Sequence, residues 1–221
     1  MDSTELLQRI SGIEDGLEKL KNSVYAMKIT DIQKYPANYE ALSTDAAIRS
    51  ERLACQLRNL IFATGLISKT TYMEKAAKTQ GILISAESNL LSIRLPGLLP
   101  KRKAHLNIAF INEPLHYALQ KYMDTHPLQL FDSCVVCFIQ VYDRRMPLRR
   151  IRDYDNMEFK QILDTISPFV LKDDNGLYCD SYHTTELGDT DYTSVNIMEK
   201  SIFPAWLQSK KNSITDLSEI H

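Results

Sequence analysis

The run CVVCFIQVYD, residues 134–143, constrains the fold more than any other stretch of this sequence. It is almost continuously apolar, and it is rich in β-branched and aromatic residues, which favour a β-strand. A strand that lacks polar alternation is typical of a position covered on both sides of a sheet. The sequence therefore predicts a strand that is buried on both faces.

The segments around this strand indicate an α+β domain over residues 89–221. LLSIRLPGLLPKRK predicts a short strand followed by a basic stretch, and NEPLHYALQKYMDTH has the apolar spacing of a helix. LYCDSYHTTELGDTDYTSVNIM predicts two strands joined at Gly188 and Asp189 in a hairpin. Strands and helices in this order are expected to form a mixed sheet with helices packed on it.

Residues 1–88 are expected to form an all-helical extension. One helix should end before Pro36, a second should follow Ser43 and stop near Gly65, and a third should run from Ser68 toward Gly81. The extension could mediate dimerisation or a partner contact, or it could pack within the chain. The first helix has apolar residues spaced alternately by three and four, as in a coiled coil: Leu6, Ile10, Ile13, Leu17, Leu20, Val24 and Met27.

Charge is distributed unevenly along the chain. Residues 91–152 contain ten Lys and Arg against four Asp and Glu, whereas residues 153–221 contain five against 13. Such a pair of blocks suits a site that attracts phosphates and concentrates carboxylates, although ordinary surface charge remains the alternative. The polar N-terminus and the absence of a long apolar run predict a cytoplasmic protein without a membrane segment.

The most informative stretch is RDYDNMEFKQILDTISPFVLKDDNGLY. It places Asp153 two residues before Asp155 and, beyond a predicted helix, the pair Asp173 and Asp174. Two or three carboxylates with water and a phosphate oxygen are typical ligands of Mg²⁺, which can then promote phosphodiester hydrolysis. The residues alone leave open that these are solvated surface acids.

The order of these features resembles the RusA-type Holliday junction resolvases. Five features are similar and occur in the same order: the strand VVCFIQVYD, the arginine-rich loop RRMPLRRIR, the sequence Asp-Tyr-Asp-Asn at 153–156, the helix pattern from Lys160 to Ile166, and Asp173-Asp174. Upstream, LSIRLPGLLPKRK looks like the opening strand and proline-bounded loop of that family. The resemblance covers roughly residues 90–200 and leaves the N-terminal helices unmatched.

The resemblance implies roles for individual residues. Asp153, Asp155 and Asp174 would be the metal ligands, and Lys160 would be the catalytic lysine. Supporting roles would fall to Asp173 and Asp164, and to Asn156 as a cap of the following helix. Phosphate contacts would come from a set of basic residues: Arg144, Arg145, Arg149, Arg150, Arg152, Lys101, Arg102 and Lys103.

One spacing departs from the family pattern. Lys160 lies five residues after Asp155, whereas the family has four. One extra residue rotates a helical side chain by about 100°. Either the insertion is absorbed before the helix begins, or Lys160 points away from the site; the spacing from Lys160 to Asp164 favours the former.

The resemblance implies a magnesium-dependent endonuclease, with Mn²⁺ as a possible substitute, that hydrolyses phosphodiesters in branched DNA during recombination or repair. It also implies a homodimer, because resolving a four-way junction requires two symmetric cuts. A catalytically inactive module that binds DNA or protein is the alternative, and a helical interaction protein is a third. The sequence contains no glycine-rich loop typical of a nucleotide cofactor.

Two weaker signals are interpreted structurally. Cys134 and Cys137 form a CxxC within the predicted strand, but no second CxxC or His pair completes a zinc site, so buried thiols are expected. Trp206 is expected to be a packing anchor. His183 follows the Asp-Asp pair and could face the site.

Overall fold

The computed structural model describes residues 3–87, 89–100, 109–126 and 130–218. The chain divides into two compact units, residues 1–71 and 72–221. In chain order the elements are α1 (Ser3–Ile29), α2 (Pro36–Thr64), α3 (Lys69–Gln80), β1 (Leu83–Glu87), β2 (Leu90–Leu95), α4 (Ala109–Thr125), β3 (Cys134–Asp143), α5 (Lys160–Val170), β4 (Cys179–Gly188), β5 (Tyr192–Glu199) and α6 (Phe203–Ser218).

The first unit contains the helical hairpin of α1 and α2. Pro36 occupies the first turn of α2, and Gly65 ends it with a φ of 66°, a conformation that glycine adopts without strain. The helices approach closely where Gly16 faces Leu53, since a Cβ on Gly16 would lie 2.7 Å from a Leu53 methyl group. No helix in the described ranges is long and apolar enough to cross a membrane.

The predicted helices are present, with two differences. α2 begins at Pro36 and not after Ser43, because a proline in the first turn costs no backbone hydrogen bond. The stretch predicted as helical to residue 88 ends in a strand, β1, which pairs antiparallel with β2. The second compact unit begins at Tyr72, within α3.

The second unit is the predicted α+β fold, built on a five-stranded mixed sheet in the order β1-β2-β5-β3-β4. β3 lies between β4, to which it is parallel, and β5, to which it is antiparallel. β4 and β5 are therefore not a hairpin, and the prediction of one is wrong. α5 forms the crossover that a parallel β3–β4 pair requires, and the residues after Gly188 then pass the end of β3.

β3 is buried on both faces, as predicted. One face contributes Val136 and Phe138 to the main core with α4 and α5. The other contributes Val135 and Cys137 to a smaller cluster with Trp206 of α6, which is the packing anchor that the sequence predicted. Cys134 and Cys137 are buried free thiols.

α5 has one strongly apolar face. Ile162, Ile166 and Val170 are fully buried against the sheet, and their spacing of four residues places them on one side of the helix. Lys160 and Asp164 are consequently directed away from this core. α5 thus joins the core to the surface that contains the acidic motif.

We expect Ile166→Ala to lower the free energy of unfolding by about 2–5 kcal/mol, because it leaves a cavity in the main core. Urea denaturation followed by circular dichroism measures this change. Leu177→Ala is the matched control, since Leu177 is 83% exposed and should change stability by no more than about 0.5 kcal/mol. Equal losses in both variants would contradict the placement of α5.

Candidate functional site

An acidic pocket of about 540 Å³ lies where β3, β4 and the beginning of α5 meet. Phe138, Met157, Phe159 and Leu163 form its apolar wall. Four of its eight polar lining residues carry carboxylates, so we call it the acidic pocket. The eight polar residues are Tyr154, Asp155, Glu158, Lys160, Asp164, Asp174, Ser181 and His183.

The pocket collects two of the three predicted metal ligands. Asp155 and Asp174 line it, although they lie on opposite sides of α5 in the sequence. Asp153 is not among the lining residues and is exposed. A short 3₁₀ turn, Tyr154–Asn156, begins directly after Asp153; at about three residues per turn, it does not align side chains that are two apart.

Lys160 lies at the pocket and not away from it. It is the first residue of α5, so the four residues between it and Asp155 all precede the helix. Its Nζ donates to both carboxylate oxygens of Asp164, at 2.9 and 3.0 Å. This hydrogen bond, with a smaller contribution from the nearby Asp174, raises the pKa of Lys160, so the side chain remains a cation at neutral pH.

The other predicted supporting residues have local roles. Asp173 accepts a hydrogen bond from the Asn175 backbone N–H at 3.0 Å, which stabilises the turn before β4. Asn156 lies three residues before Phe159, the N-cap residue of α5, so it is not at the capping position, and its side chain lies outside the described part of the structure.

Glu158 is a site residue that the motif analysis missed. It lines the pocket while only 6% exposed, and its Oε1 accepts the Gln161 backbone N–H at 3.3 Å. This bond satisfies one of the free N–H groups at the start of α5. An acid just before the first turn of a predicted helix is the signal that could have identified it.

His183 contributes an aromatic wall to the pocket. Its ring stacks on Phe138 and Tyr154 and contacts Phe159 at a centroid distance of 4.2 Å. Its Nε2 lies 2.9 Å from Ser181 Oγ, on the same face of β4, while Nδ1 is buried without a partner among the described residues. Side chains alternate between the two faces of β4, so Ser181 and His183 could have been predicted to share a face once the strands beside β4 were known.

The pocket has donors that fit a hydrated magnesium ion. Mg²⁺ is commonly held by one or two carboxylates together with waters and substrate phosphates, and Asp155 with Asp174 provides such a set. Within the described ranges no group of three or more His, Cys, Asp or Glu side chains could hold a metal ion. Of the three predicted ligands, Asp155 and Asp174 line the pocket and Asp153 does not.

Three of the predicted phosphate-binding arginines contact acids of the protein. Arg145 donates to both carboxylate oxygens of Asp143, which lowers the pKa of Asp143 to about 2. Arg150 forms an ion pair with both oxygens of Asp191 and lowers its pKa. Arg144 lies 3.5 Å from a carboxylate oxygen of Asp189. These pairs fix the connection between β4 and β5 over the end of β3.

Arg152 holds the loop that precedes the basic stretch. Its Nη1 donates to the Leu99 carbonyl at 3.2 Å, and the Leu99 N–H donates to the buried Gln140 side chain at 3.3 Å. The Pro100 carbonyl accepts the Glu158 N–H at 3.1 Å. The predicted DNA-binding residues Lys101, Arg102 and Lys103 follow this loop and lie outside the described residues.

Arg149 differs from the other arginines of the loop. Its side chain is exposed, and no partner contacts it among the residues that the structure describes. It is therefore the arginine of this loop that is available to an external anion.

We expect His183 to make stability depend on pH. Burial lowers the pKa of His183 below its ordinary value of 6.5, so the unfolded chain takes up the proton first on acidification. The stabilising contribution of the neutral ring is complete above the unfolded pKa and decreases as pH falls toward the lower folded pKa. The variant His183→Phe should therefore lose less stability than the wild type as the pH falls from about 7.5 to about 5, as measured by thermal unfolding. Equal losses in the two proteins would contradict this.

The sequence matches one family model, and a solved structure is weakly similar to the chain. None of the curated proteins matches the sequence. One solved structure, "The structure of the cell wall anchor of the T6SS from Pseudomonas aeruginosa", is similar at 9% identity, over 60% of this chain and 98% of that chain, with a TM-score of 0.34. Residues 2–221 match a family described as "Family of unknown function (DUF6100)". Because this match spans nearly the whole sequence, the chain belongs to the DUF6100 family.

Proposed function

We propose that this protein is a magnesium-dependent endonuclease that hydrolyses phosphodiesters in branched DNA, such as a four-way junction. The observation that supports this best is the convergence of Asp155, Lys160 and Asp174 on one pocket. These residues come from three successive segments of the motif that resembles the RusA-type resolvases. The resemblance of the motif does not by itself require these side chains to converge. A site that cleaves phosphodiesters does require it.

The charge of the pocket supports a role for a divalent cation. Four carboxylates and one ammonium group line it, so a DNA phosphate would be repelled unless a cation were present. Asp155 and Asp174 would hold that ion. When bound, Mg²⁺ or Mn²⁺ supplies activation of water and neutralisation of charge on the phosphate.

Lys160 has a separate role in this proposal. Because its pKa is raised by Asp164, it acts as a fixed positive charge and not as a base. A cation held within a pocket can stabilise the negative charge that develops on phosphate oxygens during cleavage. Asp164 acts as a positioning residue, since its bidentate contact with Lys160 fixes the direction of the ammonium group.

The proposal includes a homodimer, because the two symmetric cuts that resolve a junction require two active sites. A closed two-fold assembly is also the commonest oligomer of soluble proteins. DNA would be held by contacts with its phosphates, which position the duplex without specifying sequence.

A second candidate is a binding module that has this fold without cleaving DNA. Two observations favour it: Asp153 lies off the pocket, and Lys160 already contacts Asp164. In that case the protein would bind DNA or a protein partner through the same surface, and no metal-dependent turnover would occur.

Cleavage of a labelled synthetic four-way junction tests the proposal, with linear duplex and single strand as controls and with Mg²⁺, Mn²⁺ or EDTA. We expect Asp155→Asn and Asp174→Asn to reduce cleavage by about 1000-fold or more, because each removes a ligand of the proposed ion. Both variants should still bind the junction. Asp153→Asn is the matched control, and its loss should be at least about tenfold smaller, since its side chain does not face the pocket.

The outcomes separate the two candidates. Symmetric, metal-dependent cutting that both substitutions abolish supports the endonuclease. Junction binding without cutting under every metal condition supports the binding module. Full cutting activity in purified Asp174→Asn would refute the proposed site.

Arg149 and Arg150 should behave differently in DNA binding. We expect Arg149→Ala to weaken junction binding by about tenfold, and to reduce its salt dependence by about one counterion, because one phosphate contact is lost. Thermal stability should not change, since Arg149 is exposed. Arg150→Ala should instead lower thermal stability, because it leaves Asp191 without its ion pair; fluorescence anisotropy and thermal unfolding together measure both effects.

A further inference from the structure

α1 presents a row of apolar side chains to solvent. Ile10, Leu17 and Val24 are spaced by seven residues and are 37%, 49% and 51% exposed. Leu7, one turn before this row, is 66% exposed. A helix of a folded protein normally buries such a row, so this face indicates a contact that α1 does not make within the described structure.

The coiled-coil pattern of α1 is divided between two sides of the helix. Ile13 is buried, and Leu6, Leu20 and Met27 are half-buried. They lie on the side where Gly16 approaches α2 and where Ser23 donates to Asp45 at 2.7 Å. α2 therefore covers one row of the pattern, and the row of Ile10, Leu17 and Val24 remains for a second helix.

The charges along α1 favour a partner of opposite polarity. Residues 3–18 contain four acids and one arginine, whereas residues 19–29 contain three lysines and no acid. Around the exposed row, Glu14 lies four residues after Ile10, and Lys21 lies four residues after Leu17. Both positions flank the apolar row on the same side.

We propose that the exposed row of α1 binds the same row of a second copy of this chain in antiparallel orientation, with Leu17 at the two-fold axis. Ile10 then packs against Val24 of the second copy, and Glu14 faces Lys21 of the second copy, twice by symmetry. The contact spans about 21 Å of helix from Ile10 to Val24. It is self-complementary, as a two-fold interface requires.

A parallel pair does not satisfy the same charges. In a parallel two-fold pair the side of the row that holds Glu14 and Lys21 in one copy lies opposite that side in the other copy, so these residues of the two copies do not meet. The antiparallel pair places both on the same side of the interface, where the opposite charges are adjacent. The charges beside the apolar row thus favour a second copy of the chain in antiparallel orientation. This inference rests on α1 and not on the proposed nuclease activity.

Sedimentation velocity of the full chain from low to high micromolar concentration tests the interface. We expect the wild type to dimerise and Leu17→Glu to weaken the dimer by about 100-fold, because it places two carboxylates at the axis. Ile29→Glu is the matched control: Ile29 is 66% exposed but lies about 140° around α1 from the row of Val24. Circular dichroism should show unchanged helicity in both variants.

A charge exchange tests the orientation. Glu14→Lys alone and Lys21→Glu alone should each weaken the dimer by about tenfold, and the double variant E14K/K21E should restore it. In a parallel dimer Glu14 and Lys21 of the two copies do not meet, so the double variant would not restore what a single change removes. Restoration in the double variant therefore supports the antiparallel contact, and indifference to all three refutes it.

Two further outcomes would overturn the inference. A wild type that remains monomeric at high micromolar concentration has no such interface, and a dimer that persists unchanged in Leu17→Glu is formed by another surface. A monomeric wild type would also remove the homodimer from the proposed function, whereas the nuclease activity itself is decided separately, by junction cleavage and its dependence on Asp155 and Asp174.

Discussion

The parallel pairing of β3 with β4 is the constraint on which the rest of the second unit depends. Two parallel strands cannot be joined by a tight turn, so the chain between them must cross the sheet, and α5 does so. The register aligns Phe138 with His183. As a result the acidic motif, the first turn of α5 and the aromatic face of β4 meet at one pocket.

Electrostatic pairing then divides the charged residues into two groups. Arg145 and Arg150 are occupied by Asp143 and Asp191, and these contacts hold the chain as it passes the end of β3. Among the described residues that line the pocket, Lys160 is the only lysine or arginine beside the four carboxylates. The excess of negative charge there is the basis on which a divalent cation is proposed.

Sequence patterns predicted the elements that depend on local chemistry. The end of α2 at Gly65 and the extent of α3 between Ser68 and Gly81 follow from capping residues and glycines with positive φ. The burial of β3 follows from its continuous apolar run. β1 was not predicted, because its short run resembles the end of a helical region, and its identity depends on pairing with β2.

The sequence by itself determined the fold class and the order of most elements, and it showed the carboxylates of the acidic motif. Only the tertiary structure decided that β5 lies beside β3 and not beside β4, that Asp155 and Asp174 share a pocket without Asp153, and that Glu158 and His183 line it. The reason is that periodicity and capping act over a few residues. Strand order and the convergence of side chains depend instead on contacts between residues that are distant in the chain.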